Sequence, residues 1–332
     1  MDLQFSRQPT VKIVDADRLR QQIIALAESY SLETTPRESA VTASYGDILP
    51  AGKTVNIAFL PDSDFTEVAH TAARLRREGF EPVPHLPARA FTSEQDLRDA
   101  LALLRDSAGV TSALVIAGGI DRPRGPFPDT MTLLETGLLP EYGITRIGVG
   151  GHPEDSPEID NAALRSALAA KNAFAVRNGL DMHIATQFCL DAAPILAWEH
   201  ATRRDGVTLP IDVGLPGATT LKSLMKYAKI CGVGASRRVL ARNTRKLIRL
   251  SAVSYPDRLV TAIAHATLAD PSCRFRRLHF FPFGGLTRTV DWLARIAAGE
   301  FEIDNDQNGY RILESGYSNY GDSYGALFWI GN

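Results

Sequence analysis

"YSLETTPRE", residues 30–38, decides how the chain is read. A short apolar run ends in Glu33, and two threonines, a proline and an arginine follow at once. In an open doubly wound sheet the first strand normally leads into a glycine-rich turn that cradles phosphate. The turn here contains no glycine. A strand that delivers a carboxylate to its own C-terminal tip and then breaks suits a closed barrel, where active sites gather at that end of the strands.

Seven further short, β-branched runs follow: "TVNIAFL" (54–60), "EPVPHL" (81–86), "SALVIAG" (112–118), "ITRIGVG" (144–150), "MHIATQF" (182–188), "LPIDVGL" (209–215) and "RRLHFFPF" (276–283). Amphipathic helical patterns lie between most of them. "FTEVAHTAARLRREG" places Val68, Ala72 and Leu75 three to four residues apart, and "SEQDLRDALALLRDS" and "LRSALAAKNAFAVRNG" read the same way. Gly79 and Gly179 stand where such helices stop. Strand–helix alternation implies parallel strands with crossover helices, and eight units are the count of a closed barrel. The expectation is an α/β fold, a single-domain (β/α)8 TIM barrel over 1–332. It has a helical extension at 1–28, extra helices between 216 and 275, and a Gly/Ser/Tyr-rich tail at 300–332. Phe328, Trp329 and Ile330 suggest that the end of this tail docks. It is also a candidate contact for homo-oligomerisation.

The totals narrow the class. With 36 basic and 38 acidic residues the net charge is −2, which advertises neither a nucleic-acid nor an anionic-membrane partner. The basic run at 237–249 reads as a solvated helix face. Cys189, Cys231 and Cys273 are far apart and form no CxxC, which fits a reducing cytosol rather than a zinc site or disulfide framework. The first residues lack the apolar segment of a signal peptide, and no uncharged apolar run approaches the ~18 residues of a membrane helix. A cytoplasmic protein is expected.

The strand ends bring together Glu33, Pro61-Asp62, His85, Gly118 to Asp121, His152, Gln187, Gly214 to Pro216 and Phe281 to Gly285. That set holds an acid, two histidines, an amide and glycines that let a flat ligand approach the backbone. It has no HxH ligand spacing and no Gly-x-Ser-x-Gly elbow. "PAGKT" (50–54) and "GVGASR" (232–237) each miss an element of a phosphate loop. Each candidate also has a structural reading: Glu33 accepting from loop amides, His85 packed in a core, Gln187 serving a buried backbone group, Arg89 as a loop cation.

Taken in order, the segments resemble the methylenetetrahydrofolate reductase family. "SLETTPR" stands where that family has a "SFEFFPP"-like first strand, "VPHL" matches its third-strand "PHL", and "TQFCLD" its "TQFFFD". "LPIDVGLPG" matches its "PI..GI.P" strand, and "LHFFPFGG" its "HFY"-type eighth strand. The correspondence runs over roughly residues 20 to 290. The resemblance implies reduction of 5,10-methylenetetrahydrofolate to 5-methyltetrahydrofolate, or the reverse, with NADH or NADPH and usually through FAD. The folate ring must open to an iminium before it takes hydride, and opening needs a proton on a folate nitrogen. Glu33 is the expected general acid, kept protonated by an apolar strand end. Gln187 and Asp121 would bind the pterin, and Phe188 or Phe281 would stack on it.

The flavin positions depart from the family. Ala58 replaces a hydroxyl, "AGGID" replaces "RGD" and displaces Asp121, His152 replaces a tyrosine, and Ala175 falls near an expected lysine. The resemblance therefore points to a flavin-independent branch. His85, Arg89, the Gly118-Gly119 turn and His152 would then line a nicotinamide dinucleotide rather than FAD. A folate-dependent methyltransferase or methyl-carrier module on the same barrel, and a non-catalytic folate binder, are the alternatives.

Overall fold

The computed structural model describes residues 14–60, 64–154, 159–230 and 253–313. The Pro61-Asp62 strand end, Cys231, the basic run at 237–249 and the aromatic residues at 328–330 lie outside the described residues. Eight strands form the barrel: β1 (Tyr30–Thr34), β2 (Thr54–Ile57), β3 (Glu81–Pro87), β4 (Ser112–Ile116), β5 (Arg146–Gly151), β6 (Asp181–Thr186), β7 (Ile211–Pro216) and β8 (Phe275–Phe281). All pair in parallel, and the sheet closes in the order β1-β8-β7-β6-β5-β4-β3-β2. These are the eight runs expected from the sequence, and the (β/α)8 reading holds.

The strands bury their outward residues against a shell of helices. Leu32, Ile57, Leu278 and Phe280 are inaccessible to solvent, with Phe280 edge-on to Trp292 of the helix Leu286–Ala297 at 6.0 Å. The leading helix α1 (Ala16–Glu28) buries Leu19, Ile23 and Leu26 against the helices Asp257–Ala269 and Leu286–Ala297. Such side chains are worth about 2 kcal/mol each on burial. Extra helices do precede β8, at Leu221–Ile230 and Asp257–Ala269. The tail begins as an antiparallel ribbon, Phe301–Ile303 against Tyr310–Ile312. Gly179 ends its helix at φ +60°, a conformation only glycine adopts without strain. Among the described residues no helix is long and apolar enough to cross a membrane.

The turn after β1 answers the question its sequence poses. Thr35 caps a six-residue helix, α2 (Pro36–Val41), with Pro36 at its first position. The Glu38 N–H donates to Thr35 Oγ1 at 3.1 Å, and the Glu38 carboxylate reaches back to accept from the Thr35 backbone N–H and, at 3.4 Å, from its hydroxyl. "TPRE" is thus a capping box, which stops the strand and starts a helix within two residues. It leaves Glu33 one residue short of the strand's end.

Register sets what faces the barrel axis. Cα partners in a parallel ladder point the same way, and successive residues alternate. Ser31 pairs with His279, His279 with Gly214, and Glu33 with Asn56. Ser31, Glu33, His279 and Phe281 therefore share the inward face. One layer lower, Asp212 pairs with Arg277 and Ala185.

Candidate active site

Glu33 is half-buried at the C-terminal end of β1, and its Oε2 lies 3.6 Å from His85 Nε2 and 3.7 Å from His279 Nε2. Both imidazole nitrogens are buried without a hydrogen-bond partner. Burial pushes the His85 imidazole below its ordinary value, against the pull of Glu33 and with the push of His279. His279 also shares a 2.9 Å hydrogen bond, through Nδ1, with Ser31 Oγ. Sequence reading passed over His279 because it lies two residues inside the strand end. Period-two alternation gives the missing signal: a β8 that points Phe281 into the mouth points His279 the same way.

Glu33 also lines a cavity of about 460 Å³ with Glu38, Asp47, Thr42, Gly284 and Arg288. Burial and the nearby Glu33 hold the Glu38 carboxyl above its ordinary value, opposed by hydrogen bonds from Thr35 and the backbone of Gly284. Glu38 is a second acid that the sequence reading did not single out.

The other candidates fall into two groups. Gln187 follows β6, half-buried, with its N–H donating to Gly151 O at 2.8 Å. Its side-chain Oε1 accepts the Phe188 N–H at 3.0 Å, so the amide is held by its oxygen and presents its NH2 end. Phe188 is wholly buried, packed on Phe281 at 5.6 Å and Phe283 at 4.9 Å. It offers no face to a ligand and instead backs Phe281, which is half-buried and edge-on to His279 at 4.8 Å. The helix Leu221–Ile230 adds Leu224 to this aromatic cluster and stacks Tyr227 on Phe283 at 4.5 Å.

Across the mouth, Arg89 is tied into its own loop. Its Nε donates to Pro128 O at 2.8 Å and its Nη1 to Ile120 O at 3.2 Å. It shapes the loop after β4 more than it offers a free cation. Gly118 turns at φ +92°, and nothing lies within 4 Å of a side-chain position at Gly119. Asp121 is exposed on that loop. His152 lies past β5 and is exposed. Crowding by its surroundings, then the Lys171 charge, lowers its pKa. Lys171 is itself lowered by burial, against the pull of Asp129. A lysine therefore stands near His152, one helical turn before Ala175.

No protein-family model matches the chain. In structure it is similar to a protein from Clostridium thermocellum described as uncharacterized and as binding two copies of 5-methyl-5,6,7,8-tetrahydrofolic acid. The TM-score is 0.53 at 11% identity, over 84% of this chain and 97% of that one. A weaker likeness, TM-score 0.35 at 14% identity, is to the carboxyl transferase domain of Rhizobium etli pyruvate carboxylase with 3-hydroxypyruvate, over 89% of this chain and 52% of that one. At 11% identity the first likeness is one of fold. The fold and the mouth together define a (β/α)8 barrel with an acid between two imidazoles on one side and a glycine turn with cations on the other.

Proposed function

We propose that this protein is a folate enzyme, an NADH- or NADPH-dependent methylenetetrahydrofolate reductase that works without a resident flavin. The observation that carries the reading is Glu33: an acid at the rim of the barrel, beside a cavity, facing two buried imidazole nitrogens that lack partners. The folate half of the reading draws on the fold likeness to a protein that binds 5-methyltetrahydrofolate.

In this reading Phe281 offers its open face to the pterin, backed by Phe188 and Phe283. Gln187 bonds a pterin edge through its NH2 end. Glu33 gives its proton to the departing folate nitrogen as the carbon–nitrogen bond breaks, with the bonding pair staying on nitrogen. A reduced nicotinamide supplies the hydride that turns the iminium into a methyl group. Gly119, with nothing within 4 Å of its side-chain position, leaves room for the flat ring of a nicotinamide dinucleotide to approach the backbone, while Gly118 packs on Pro87, and His152, Lys171, Arg122 and Arg124 would meet the dinucleotide's phosphates. Arg89 holds that loop in place. Ala58 follows β2, its N–H donating to Thr34 O at 2.8 Å, and its lack of a hydroxyl favours direct transfer over a held FAD.

The test is an absorption spectrum of the purified protein together with oxidation of NADH or NADPH in the presence of methylenetetrahydrofolate. The expected result is folate-dependent oxidation with no stoichiometric flavin band. Bound FAD would defeat the flavin-free part. Folate binding with no nicotinamide oxidation would leave a methyl-carrier or binding module.

A further inference from the structure

Resting on the reading of Glu33 as the acid, we propose that His279, oriented by Ser31, shares the proton of Glu33 and keeps the acid loaded. His279 is then a positioning residue, acting through Glu33 and not on the folate. Three observations converge. Ser31 Oγ and His279 Nδ1 are 2.9 Å apart between residues in cross-strand register. In the tautomer that donates Nδ1–H to the hydroxyl, Nε2 carries the lone pair, and that nitrogen stands 3.7 Å from Glu33 Oε2. That nitrogen is buried in a side chain only 2% exposed and has no hydrogen-bond partner, a costly arrangement unless some state of the site provides one. Protonated Glu33 is that partner.

The contact needs a shift of about 0.7 Å to reach hydrogen-bond length, and such contacts are often long in a free enzyme. The Phe281 ring, edge-on at 4.8 Å, limits how far the imidazole swings away. The groups facing Glu33 from the surrounding elements are His85 on β3, His279 on β8 and Glu38 on α2, with Asp47 and Arg288 across the cavity. His85 approaches the same oxygen at 3.6 Å. His279 is distinguished by the serine that holds its far nitrogen. The step balances simply. The O–H bond of Glu33 breaks with its electron pair left on the carboxylate, an N–H bond forms on the folate, and His279 loses a hydrogen bond but no proton. Re-protonation of Glu33 through the cavity it lines restores the pair.

The experiment measures turnover against pH, and separately the titration of the Glu33 carboxyl by carbon NMR in the free protein, with Glu33→Gln assigning the signal. Wild type, His279→Phe and Ser31→Ala are compared. Losing an acceptor for the protonated form moves both the falling limb of the rate profile and the NMR midpoint to lower pH. The expected move is about one unit for His279→Phe and about half that for Ser31→Ala. Turnover of His279→Phe is then about tenfold down above the limb and within about twofold of wild type well below it. A loss of equal size at every pH, or an unmoved NMR midpoint, overturns the proposal. If His279→Phe does not fold, Ser31→Ala decides in the same way. A moved midpoint in a protein that never oxidises nicotinamide sinks the reductase reading and leaves the proton-sharing pair standing.

Discussion

Asp212 and Glu33 are carboxylates on the inner face of the same barrel, a few layers apart, and their surroundings are opposite. Asp212 is 2% exposed and fully matched: Arg276 bonds both its oxygens at 2.8 Å, Arg277 adds a 2.7 Å bond, and His183 stands 3.6 Å away. Burial would raise its pKa, but the Arg276 hydrogen bonds and the Arg277 charge outweigh it and hold the carboxyl below its ordinary range. Glu33 has two imidazoles beyond hydrogen-bond reach and an open cavity beside it. A matched buried charge is part of the scaffold, and a half-buried carboxyl at the mouth with its neighbours beyond hydrogen-bond reach is available for chemistry. The difference separates the structural base of the barrel from its reactive rim.

Truncating the base should hurt stability most. Asp212→Ala leaves two guanidiniums without their counter-charge and costs roughly 3 kcal/mol, at the low end for a buried pair because both arginines reach solvent. Glu33→Gln, compared with Asp212→Ala by urea titration, should cost under about 1 kcal/mol. Equal costs would erase the distinction between base and rim.

A pH series sharpens it. Burial holds His183 at about 4, against an ordinary 6.5, despite the pull of Asp212. The unfolded chain therefore binds a proton that the native state refuses. Stability is full above pH 6.5 and falls as the pH drops toward 4, by on the order of 3 kcal/mol from this residue. His183→Gln should flatten that fall in denaturant midpoints measured between pH 7 and 4.5. An unchanged slope would remove His183 from the account. A smaller effect is expected at the rim: Phe281→Ala should raise the KM for folate about tenfold with stability reduced by less than a core truncation. A KM left as it was would mean that the pterin stacks elsewhere.

The barrel was legible in the sequence because most strands are short β-branched or aromatic runs and most crossovers carry an apolar stripe at helical spacing. Glu33 and His85 were legible because strand ends mark the mouth. His279 was hidden by attention to tips, although alternation from Phe281 points to it. Glu38 was hidden because the stretch after Glu33 reads as a break in the chain, when "TPRE" is a capping box that starts a helix. The capture of the Gln187 amide by the Phe188 N–H and the stapling of Arg89 to Pro128 and Ile120 depend on loop paths that no local pattern encodes. The burial of Phe188 follows from Phe283 and the helix Leu221–Ile230, both distant in sequence.

The most direct test compares wild type with Glu33→Gln, reading 5-methyltetrahydrofolate affinity and nicotinamide oxidation on the same preparations. A carboxyl that supplies the ring-opening proton predicts affinity within about threefold of wild type and turnover lower by ~10²-fold or more. Turnover that survives the substitution would contradict it.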